Sequence, residues 1–357
     1  MVDLAEILRQ HWPGYERKFG SRLLPSHRRA VRAILACRTA ALGGHLYRCG
    51  DCGHLHYAYH SCNHRACCRC GHQDTSQWIA RQKARLLPVS YFLVTFTVPA
   101  ALRPWIRSHQ KLGYAWLFAH SAAALQEVAQ REKYLGAQLG LVGVLHTWTR
   151  DLRYHPHVHY LVPGGGLSAD GRRWRRTSPE FLLPERVLAA RFRTRWREQL
   201  QREHPEVFQQ IPARVWQERW VVDIIRVGSG EAALKYLSAY IYRTALSAQR
   251  LMRSDARTVT FGYRPSGERQ WKACALPAEK FLHRFLQHVL PAGFQRVRYF
   301  GWLAPQARKR WQRILRLLRW RAAESIPAEP SAEPECPRCR KPMRWVAELP
   351  RAPPLAP

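Results

Sequence analysis

The residues best suited to chemistry are three histidines at alternate positions, His155, His157 and His159. Their surroundings predict a β-strand, in which side chains two residues apart point to the same face. The three imidazoles therefore share a face, and two of them can hold a divalent cation. We predict that His157 and His159 bind a metal ion, with His146 on the preceding strand as the first choice for a third ligand and His155 as the second. The alternatives are a histidine-bearing strand with ordinary polar contacts and a structural metal site.

Two tyrosines one helical turn apart, Tyr236 and Tyr240, are the candidate nucleophiles. They lie in a helix predicted over residues 231–247, about a third of a turn from an aliphatic stripe that suits a core. Arg243 falls on the tyrosine side. A tyrosine oxygen can attack a phosphate in line and form a covalent 5′-phosphotyrosine, while a metal ion polarises the phosphate and Arg243 steadies its oxygens. The alternative is that both tyrosines are packing residues.

The charge of the chain favours a polyanionic partner. The sequence has 58 Lys and Arg against 25 Asp and Glu, which gives a formal net charge of +33. Such a field attracts nucleic acid and speeds its capture, although RNA or an anionic membrane surface would also fit. The sequence contains no stretch suited to crossing a bilayer and no secretory signal near Met1, so we expect a cytoplasmic protein without a membrane partner.

Ten cysteines without a secretory signal indicate metal ligands more than disulfides. Cys49 and Cys52 form one Cys-x-x-Cys knuckle, and Cys67 and Cys70 form a second one, separated from the first by fourteen residues. Two such knuckles predict one structural Zn²⁺ with four thiolate ligands. Cys62 is a further candidate ligand, and nearby Cys68 and histidines leave room for a second zinc ion.

A lone pair near the C-terminus, Cys336 and Cys339, has no partner pair in its own segment. It is either half of a ribbon or a pairing site between chains. The segment after residue 326 is rich in Pro, Ala and Glu, which predicts a loosely ordered appendage.

The elements that must position these residues predict an α+β fold. We expect a zinc-binding, DNA-contacting domain of the zinc-ribbon type at 1–87 and a nuclease palm at 88–303, with a mainly antiparallel central sheet flanked by helices. A basic helix and a Pro-rich tail follow at 304–357. Strands are predicted at 91–98, 139–148, 156–162, 220–227, 258–263 and 270–274. Helices are predicted at 28–36, 75–87, 104–134, 181–203, 231–247, 277–289 and 305–323.

The chain resembles the rolling-circle transposases of the insertion-sequence ninety-one family, within the HUH endonuclease superfamily. The resemblance runs across nearly the whole chain and is specific in the combination of its blocks. These include His27-Arg-Arg-Ala30, Gly43-Gly-His45, Leu145-His-Thr-Trp148, His155-Pro-His-Val-His159, Tyr236-Leu-Ser-Ala-Tyr240 and Leu290-Pro-Ala-Gly-Phe294.

The resemblance implies an N-terminal zinc-binding domain, an HUH nuclease palm that needs Mg²⁺ or Mn²⁺, and nucleophilic roles for both Tyr236 and Tyr240. One departure concerns the cysteine cluster. Ala66 stands where the family usually has a histidine, and Cys68 stands where it has a proline. If that histidine is a ligand, His64 or Cys68 must replace it.

The expected function is therefore that of a transposase, which nicks and rejoins single-stranded DNA through a 5′-phosphotyrosine during rolling-circle transposition. Its partners would be single-stranded or hairpin ends of a mobile element, in the nucleoid of a prokaryote. A replication initiator or relaxase with the same chemistry is one alternative. A non-catalytic, zinc-containing DNA-binding remnant is the other.

Overall fold

The computed structural model describes residues 2–70, 72–241, 245–265, 267–321 and 334–352, with the backbone alone for 72–74, 236 and 238–241. Its helices are accompanied by sheets in which all the described pairings are antiparallel, so the α+β prediction is confirmed.

The first third of the chain contains helices around one small hairpin. Its elements are α1 (Leu4–Phe19), α2 (Pro25–Ala36), β1 (Gly44–Cys49), β2 (Leu55–Tyr59) and α3 (His72–Lys83).

The middle of the chain supplies most of the large sheet and its covering helices. Its elements are β3 (Tyr91–Thr97), α4 (Arg103–Ser108), α5 (Gln110–Gln130), β4 (Ala137–Gln138), β5 (Gly140–Trp148), β6 (Tyr154–Pro163), β7 (Gly165–Ser168), β8 (Trp174–Arg176), α6 (Glu185–Glu203), α7 (Pro205–Gln210), β9 (Val221–Arg226) and α8 (Glu231–Ile241).

The last part adds a three-stranded sheet, the edge strand of the large sheet and a C-terminal strand. Its elements are β10 (Leu251–Ser254), β11 (Thr258–Tyr263), β12 (Lys272–Pro277), α9 (Ala278–Leu286), β13 (Val297–Gly301), α10 (Arg308–Leu317) and β14 (Met343–Leu349).

The central sheet has five strands in the order β13-β5-β6-β3-β9. One face is packed by α5 and α6, where Phe96 of β3 meets Phe192 with ring centroids 5.1 Å apart. Tyr160 of β6 belongs to the same face and its hydroxyl lies 2.7 Å from Ser121 Oγ on α5. Each large side chain buried in this layer stabilises the sheet by about 1.5–3 kcal/mol.

The opposite face of the sheet carries the predicted histidines, because strand residues alternate between faces. Its apolar half includes Leu93, Val142 and Leu161, and helices α3, α8 and α10 contribute to the same core. At Gly140 the ring of Trp302 lies so close that an added Cβ would be 2.6 Å from it, so only glycine fits there. The sheet thus has one side that is covered by α5 and α6 and one side that is apolar only in part.

The N-terminal helices pack against a later part of the chain. Leu4, Ile7 and Leu8 of α1 form one buried face, and they share a core with Phe261 of β11 and Phe281 of α9. Because this core joins residues far apart in sequence, the division at residues 87 and 303 stays a prediction.

Several predicted boundaries differ from the structure. The helix predicted over 104–134 is interrupted at His109, whose backbone (φ −116°, ψ 49°) separates α4 from α5. Of the helix predicted over 305–323, the described residues 305–321 form an α-helix over Arg308–Leu317.

The expectation of a loosely ordered tail is wrong for residues 334–352. There β14 pairs antiparallel with β1, with Gly44 opposite Leu349 and Cys49 opposite Met343. Within the described part of the chain, none of the helices has both the length and the apolar character needed to cross a bilayer.

Candidate functional site

Three histidines converge on the partly polar face of the central sheet. His146 of β5 lies directly opposite His157 of β6, and His159 follows two residues later on the same face. One ring nitrogen from each lies within 4.8 Å of the others. The ring centroids of His146 and His159 are 4.4 Å apart, and those of His157 and His159 are 4.8 Å apart. This arrangement can hold one ion between three imidazoles.

Hydrogen bonds orient two of the rings. His157 Nδ1 lies 2.7 Å from the carbonyl oxygen of His155. A carbonyl only accepts, so Nδ1 carries the proton and Nε2 keeps its lone pair. His159 Nδ1 lies 2.8 Å from the hydroxyl of Thr95, which is its cross-strand partner on β3. Hydrogen bonds made by the ring nitrogen that does not face the metal fix the tautomer and the direction of a metal-binding imidazole.

Burial keeps the three imidazoles neutral. Desolvation lowers the pKa of His146 and His157 well below the ordinary value and that of His159 to about 4. The neutral ring is the form that binds a metal, so the donor set fits a divalent cation at neutral pH. His146 belongs to this group and His155 does not, although the His155 ring is only 5.2 Å from that of His157.

A cleft of about 600 Å³ lies over the histidines. Its far wall comes from the β5–β6 turn and from the sheet of β10 to β12. The Arg150 guanidinium in the turn donates to the carbonyl oxygen of Arg264, just after β11, at 3.0 Å, and so links the two parts of the wall. The charged side chains lining the cleft are Arg150, Arg153, Lys272, Asp151 and Glu268. Both carboxylates are ion-paired within the cleft, Asp151 to Arg153 at 2.7 Å and Glu268 to Lys272 at 2.8 Å. The net charge of this wall is therefore positive.

Helix α8 packs on the histidine face of the sheet. Leu234 and Leu237 are buried in the same core as Val144 and Leu161, which adjoin the histidines on β5 and β6. Val144 is the cross-strand partner of His159, so the helix lies next to the histidine group.

The predicted nucleophiles are on this helix. The backbone of α8 includes Tyr236 and Tyr240, whose side chains lie outside the described residues, as does the whole of Arg243. The predicted helix over 231–247 is described to Ile241, and residues 245–247 are not helical.

The start of α8 is fixed to the sheet by close contacts. Gly230 has a φ of +86° and approaches the ring of Tyr91 so closely that an added Cβ would lie 2.8 Å from Cγ. Its carbonyl oxygen accepts the Leu234 N–H at 2.9 Å, and Glu231 pairs with Lys83 of α3 at 3.1 Å. Only glycine combines this backbone conformation with this approach.

Two residues of the site had no signal that sequence reasoning could use. Thr95 is one of two threonines in a predicted strand, and its contact with His159 depends on strand register. Tyr263, at the end of β11, lines the cleft only because the small sheet folds back over the histidines.

The cysteines form two groups that differ from the predicted one. The structure separates the Cys49 knuckle from the Cys67 knuckle, so the prediction of one site made from both is wrong. Every described cysteine except Cys68 and Cys274 is in a group, and the groups are Cys37, Cys62, Cys67, Cys70 and Cys49, Cys52, Cys336, Cys339.

The first group has four cysteines without His64 or Cys68, the two residues expected to replace the histidine that the family usually has at position 66. Its sulfurs lie close together, with Cys37 Sγ 3.5 Å and Cys62 Sγ 3.7 Å from Cys70 Sγ. His64 Nδ1 instead accepts the Ala66 N–H at 3.1 Å. Four thiols with this spacing suit a tetrahedral Zn²⁺, and Cys37 is the member that the sequence analysis missed.

Two regions of the chain match family models of transposases. Residues 7–98 match the family model of a transposase zinc-binding domain, and residues 140–310 match one described as a putative transposase. The second region contains all three histidines and α8. No solved structure matches the chain significantly.

Two curated relatives are similar over most of their length. A putative transposase, y4qJ, of Sinorhizobium fredii (strain NBRC 101917 / NGR234) is 37% identical over 326 residues, covering 86% of this chain and 81% of the relative. The transposase for insertion sequence element IS801 of Pseudomonas savastanoi pv. phaseolicola is 30% identical over 300 residues, covering 77% and 69%.

Proposed function

Because the chain belongs to the insertion-sequence ninety-one family of transposases, we propose that it nicks and rejoins single-stranded DNA through a covalent 5′-phosphotyrosine during rolling-circle transposition. The observation that carries the proposal is the shared sheet face of His146, His157 and His159 and helix α8. A candidate metal site and a helix with two candidate nucleophiles are therefore neighbours on this face.

The three imidazoles would hold the catalytic ion, Mg²⁺ or Mn²⁺. When bound, such an ion supplies charge stabilisation to the scissile phosphate. The chain contributes the orientation of the rings, through the His155 carbonyl oxygen and the Thr95 hydroxyl, and a site dry enough to keep the imidazoles neutral. The proposed ligand set takes His146 as its third member and leaves out His155.

The covalent step belongs to Tyr236 or Tyr240. The tyrosine hydroxyl gives up its proton to solvent as its oxygen attacks phosphorus. The bond from phosphorus to the 3′ oxygen breaks, and the leaving oxygen takes up a proton from solvent to become a 3′-hydroxyl. The phosphotyrosine ester keeps the bond energy, so an incoming 3′-hydroxyl reverses the step without a nucleotide cofactor. Two tyrosines one turn apart would allow two successive transfers, with Arg243 on phosphate oxygens.

The cleft over the histidines suits a single strand. Its positive wall offers Arg150 to the backbone, and Tyr263 offers a ring on which an unpaired base can stack. Along a duplex the base faces are stacked on one another, so they are not free to stack on this ring. The DNA partner is thus proposed to be single-stranded or a hairpin end of the mobile element.

The test is a cleavage assay on single-stranded oligonucleotides that carry an element end, with Mn²⁺ or Mg²⁺. We expect a protein–DNA adduct that survives denaturation in the wild type and in Tyr134→Phe. Tyr134 is a suitable control because it packs against the core on the opposite side of the central sheet, under α5 and α6. The double variant Tyr236→Phe/Tyr240→Phe should lose it. An adduct that persists in the double variant would refute the assignment of Tyr236 and Tyr240 as nucleophiles. DNA binding without an adduct in any metal would favour a non-catalytic remnant.

A further inference from the structure

Two Cys-x-x-Cys knuckles from distant parts of the sequence meet at one point. Cys49 ends β1 and Cys52 lies in the turn to β2, whereas Cys336 and Cys339 precede β14, the partner strand of β1. Cys49 Sγ is 3.4 Å from Cys339 Sγ, and Cys52 Sγ is 3.6 Å from Cys336 Sγ. All four sulfurs lie within 4.8 Å of one another.

The two knuckles have the same backbone conformation. In each, the first cysteine N–H donates to the carbonyl oxygen five residues later, His54 at 2.9 Å and Lys341 at 2.8 Å. In each, the residue four positions after the first cysteine donates its N–H back to that cysteine's carbonyl oxygen and has a positive φ, 71° at Gly53 and 61° at Arg340. Arg340 adopts a conformation that is uncommon outside glycine, which indicates that the turn is needed.

Backbone N–H groups also point at the sulfurs in a matching way. Those of Asp51 and Cys52 donate to Cys49 Sγ, and those of Arg338 and Cys339 donate to Cys336 Sγ. Donors of this kind stabilise a thiolate, which is the form that binds metal. The pseudo-symmetric pair of turns therefore presents four sulfurs as ligands, and not as two independent thiols.

The spacing of the sulfurs suits zinc. With Zn–S bonds of about 2.3 Å, the edge of a tetrahedron of sulfurs is about 3.8 Å, close to the two distances above. A disulfide would need about 2.05 Å between two sulfurs, which is far shorter than either of these distances.

The apolar core at this point is too small to hold the strands alone. Its buried members are Cys49, Cys336 and Met343, while Trp345 of β14 is 60% exposed. Small modules of this kind usually depend on a metal or a disulfide for their stability.

We propose that Cys49, Cys52, Cys336 and Cys339 hold a second structural Zn²⁺, which fastens the C-terminal strand β14 to the N-terminal hairpin. Two of these four ligands, Cys336 and Cys339, lie outside both regions matched by the family models, which end at residues 98 and 310. The chain then binds two zinc ions, one here and one at Cys37, Cys62, Cys67 and Cys70. The proposal does not depend on the nuclease activity.

The test is the zinc content of the full chain by native mass spectrometry. We expect two zinc ions in the wild type and in Cys274→Ser, a control outside both groups. The double variant Cys336→Ser/Cys339→Ser should keep one ion, and Cys62→Ser/Cys67→Ser should also keep one. Two ions in the C-terminal variant, or a single ion in the wild type that only the Cys62 variant loses, would overturn the proposal.

Alkylation of the wild-type protein gives a second readout that needs no variant to fold. A stepwise chelator titration should expose Cys49, Cys52, Cys336 and Cys339 to alkylation together on the same molecules, after Cys274. Alkylation of Cys336 and Cys339 as fast as Cys274, while Cys49 and Cys52 remain protected, would refute the shared site. Refilling with Co²⁺ should give a thiolate charge-transfer absorption that falls by half in the C-terminal variant.

Discussion

The hydroxyl of Thr95 offers a test of how the histidine group is positioned. It lies 2.8 Å from His159 Nδ1 and is the ring's cross-strand neighbour. Thr95→Val keeps the shape of the side chain and removes the hydroxyl, so the His159 ring loses one contact that sets its tautomer and direction. Loss of such an outer contact typically costs 10–100-fold in metal affinity. At about 1.4 kcal/mol per factor of ten, this corresponds to about 1.4–2.8 kcal/mol.

The assay measures adduct formation against Mn²⁺ concentration. In Thr95→Val the half-maximal concentration should rise by about 10–100-fold, and saturating Mn²⁺ should restore most of the wild-type rate, because Thr95 acts through a ligand. Thr95→Ser, which keeps the hydroxyl, should behave like the wild type. Thr97→Val is the matched control, since Thr97 lines the same cleft. An unchanged Mn²⁺ dependence in Thr95→Val, or equal shifts in both valine variants, would refute the positioning role.

Three other perturbations test the remaining parts of the structure. His157→Ala should abolish cleavage and leave the zinc content unchanged, because the zinc groups are separate; loss of zinc in this variant would contradict two independent sites. Leu237→Ala should lower the free energy of unfolding in urea by about 2–5 kcal/mol, because the side chain is fully buried between α8 and the sheet. Burial lowers the pKa of His288 to about 3, so below pH 6.5 the unfolded chain binds a proton that the folded chain does not. Stability should therefore fall between pH 6.5 and about 3, by about 1.4 kcal/mol per pH unit from this residue, and His288→Leu should show a shallower slope.

The histidine site was the part most open to prediction from sequence. Alternation along a strand places His157 and His159 on one face, and the strand before them supplies His146 at the matching level. Periodicity alone also predicts α8 and its buried stripe, of which Leu234 and Leu237 are buried. These are local rules, which need no knowledge of the rest of the chain.

The cysteine groups were beyond such rules. The spacing of a knuckle tells which two thiols share a turn, but the partner knuckle is set by the fold, and the nearest one in sequence is the wrong partner here. Cys37 has no neighbour in a Cys-x-x-Cys pattern, so its place beside Cys70 follows from the packing of α2. Thr95 and Tyr263 were missed for a similar reason, because strand register and the folded-back sheet determine their positions.

The pairing of β14 with β1 also has a consequence for synthesis on the ribosome. Cys336 follows Cys52 by 284 residues, so at about 5–20 residues per second the first knuckle emerges roughly 15–60 s before the second. Until then the edge of β1 that pairs with β14 has no partner strand, and chains released before β14 is made would keep this edge unpaired. Strand β14, which is made after β1 and β2, therefore closes the hairpin that they form, and a nascent chain acquires the finished module only after Leu349 has been added.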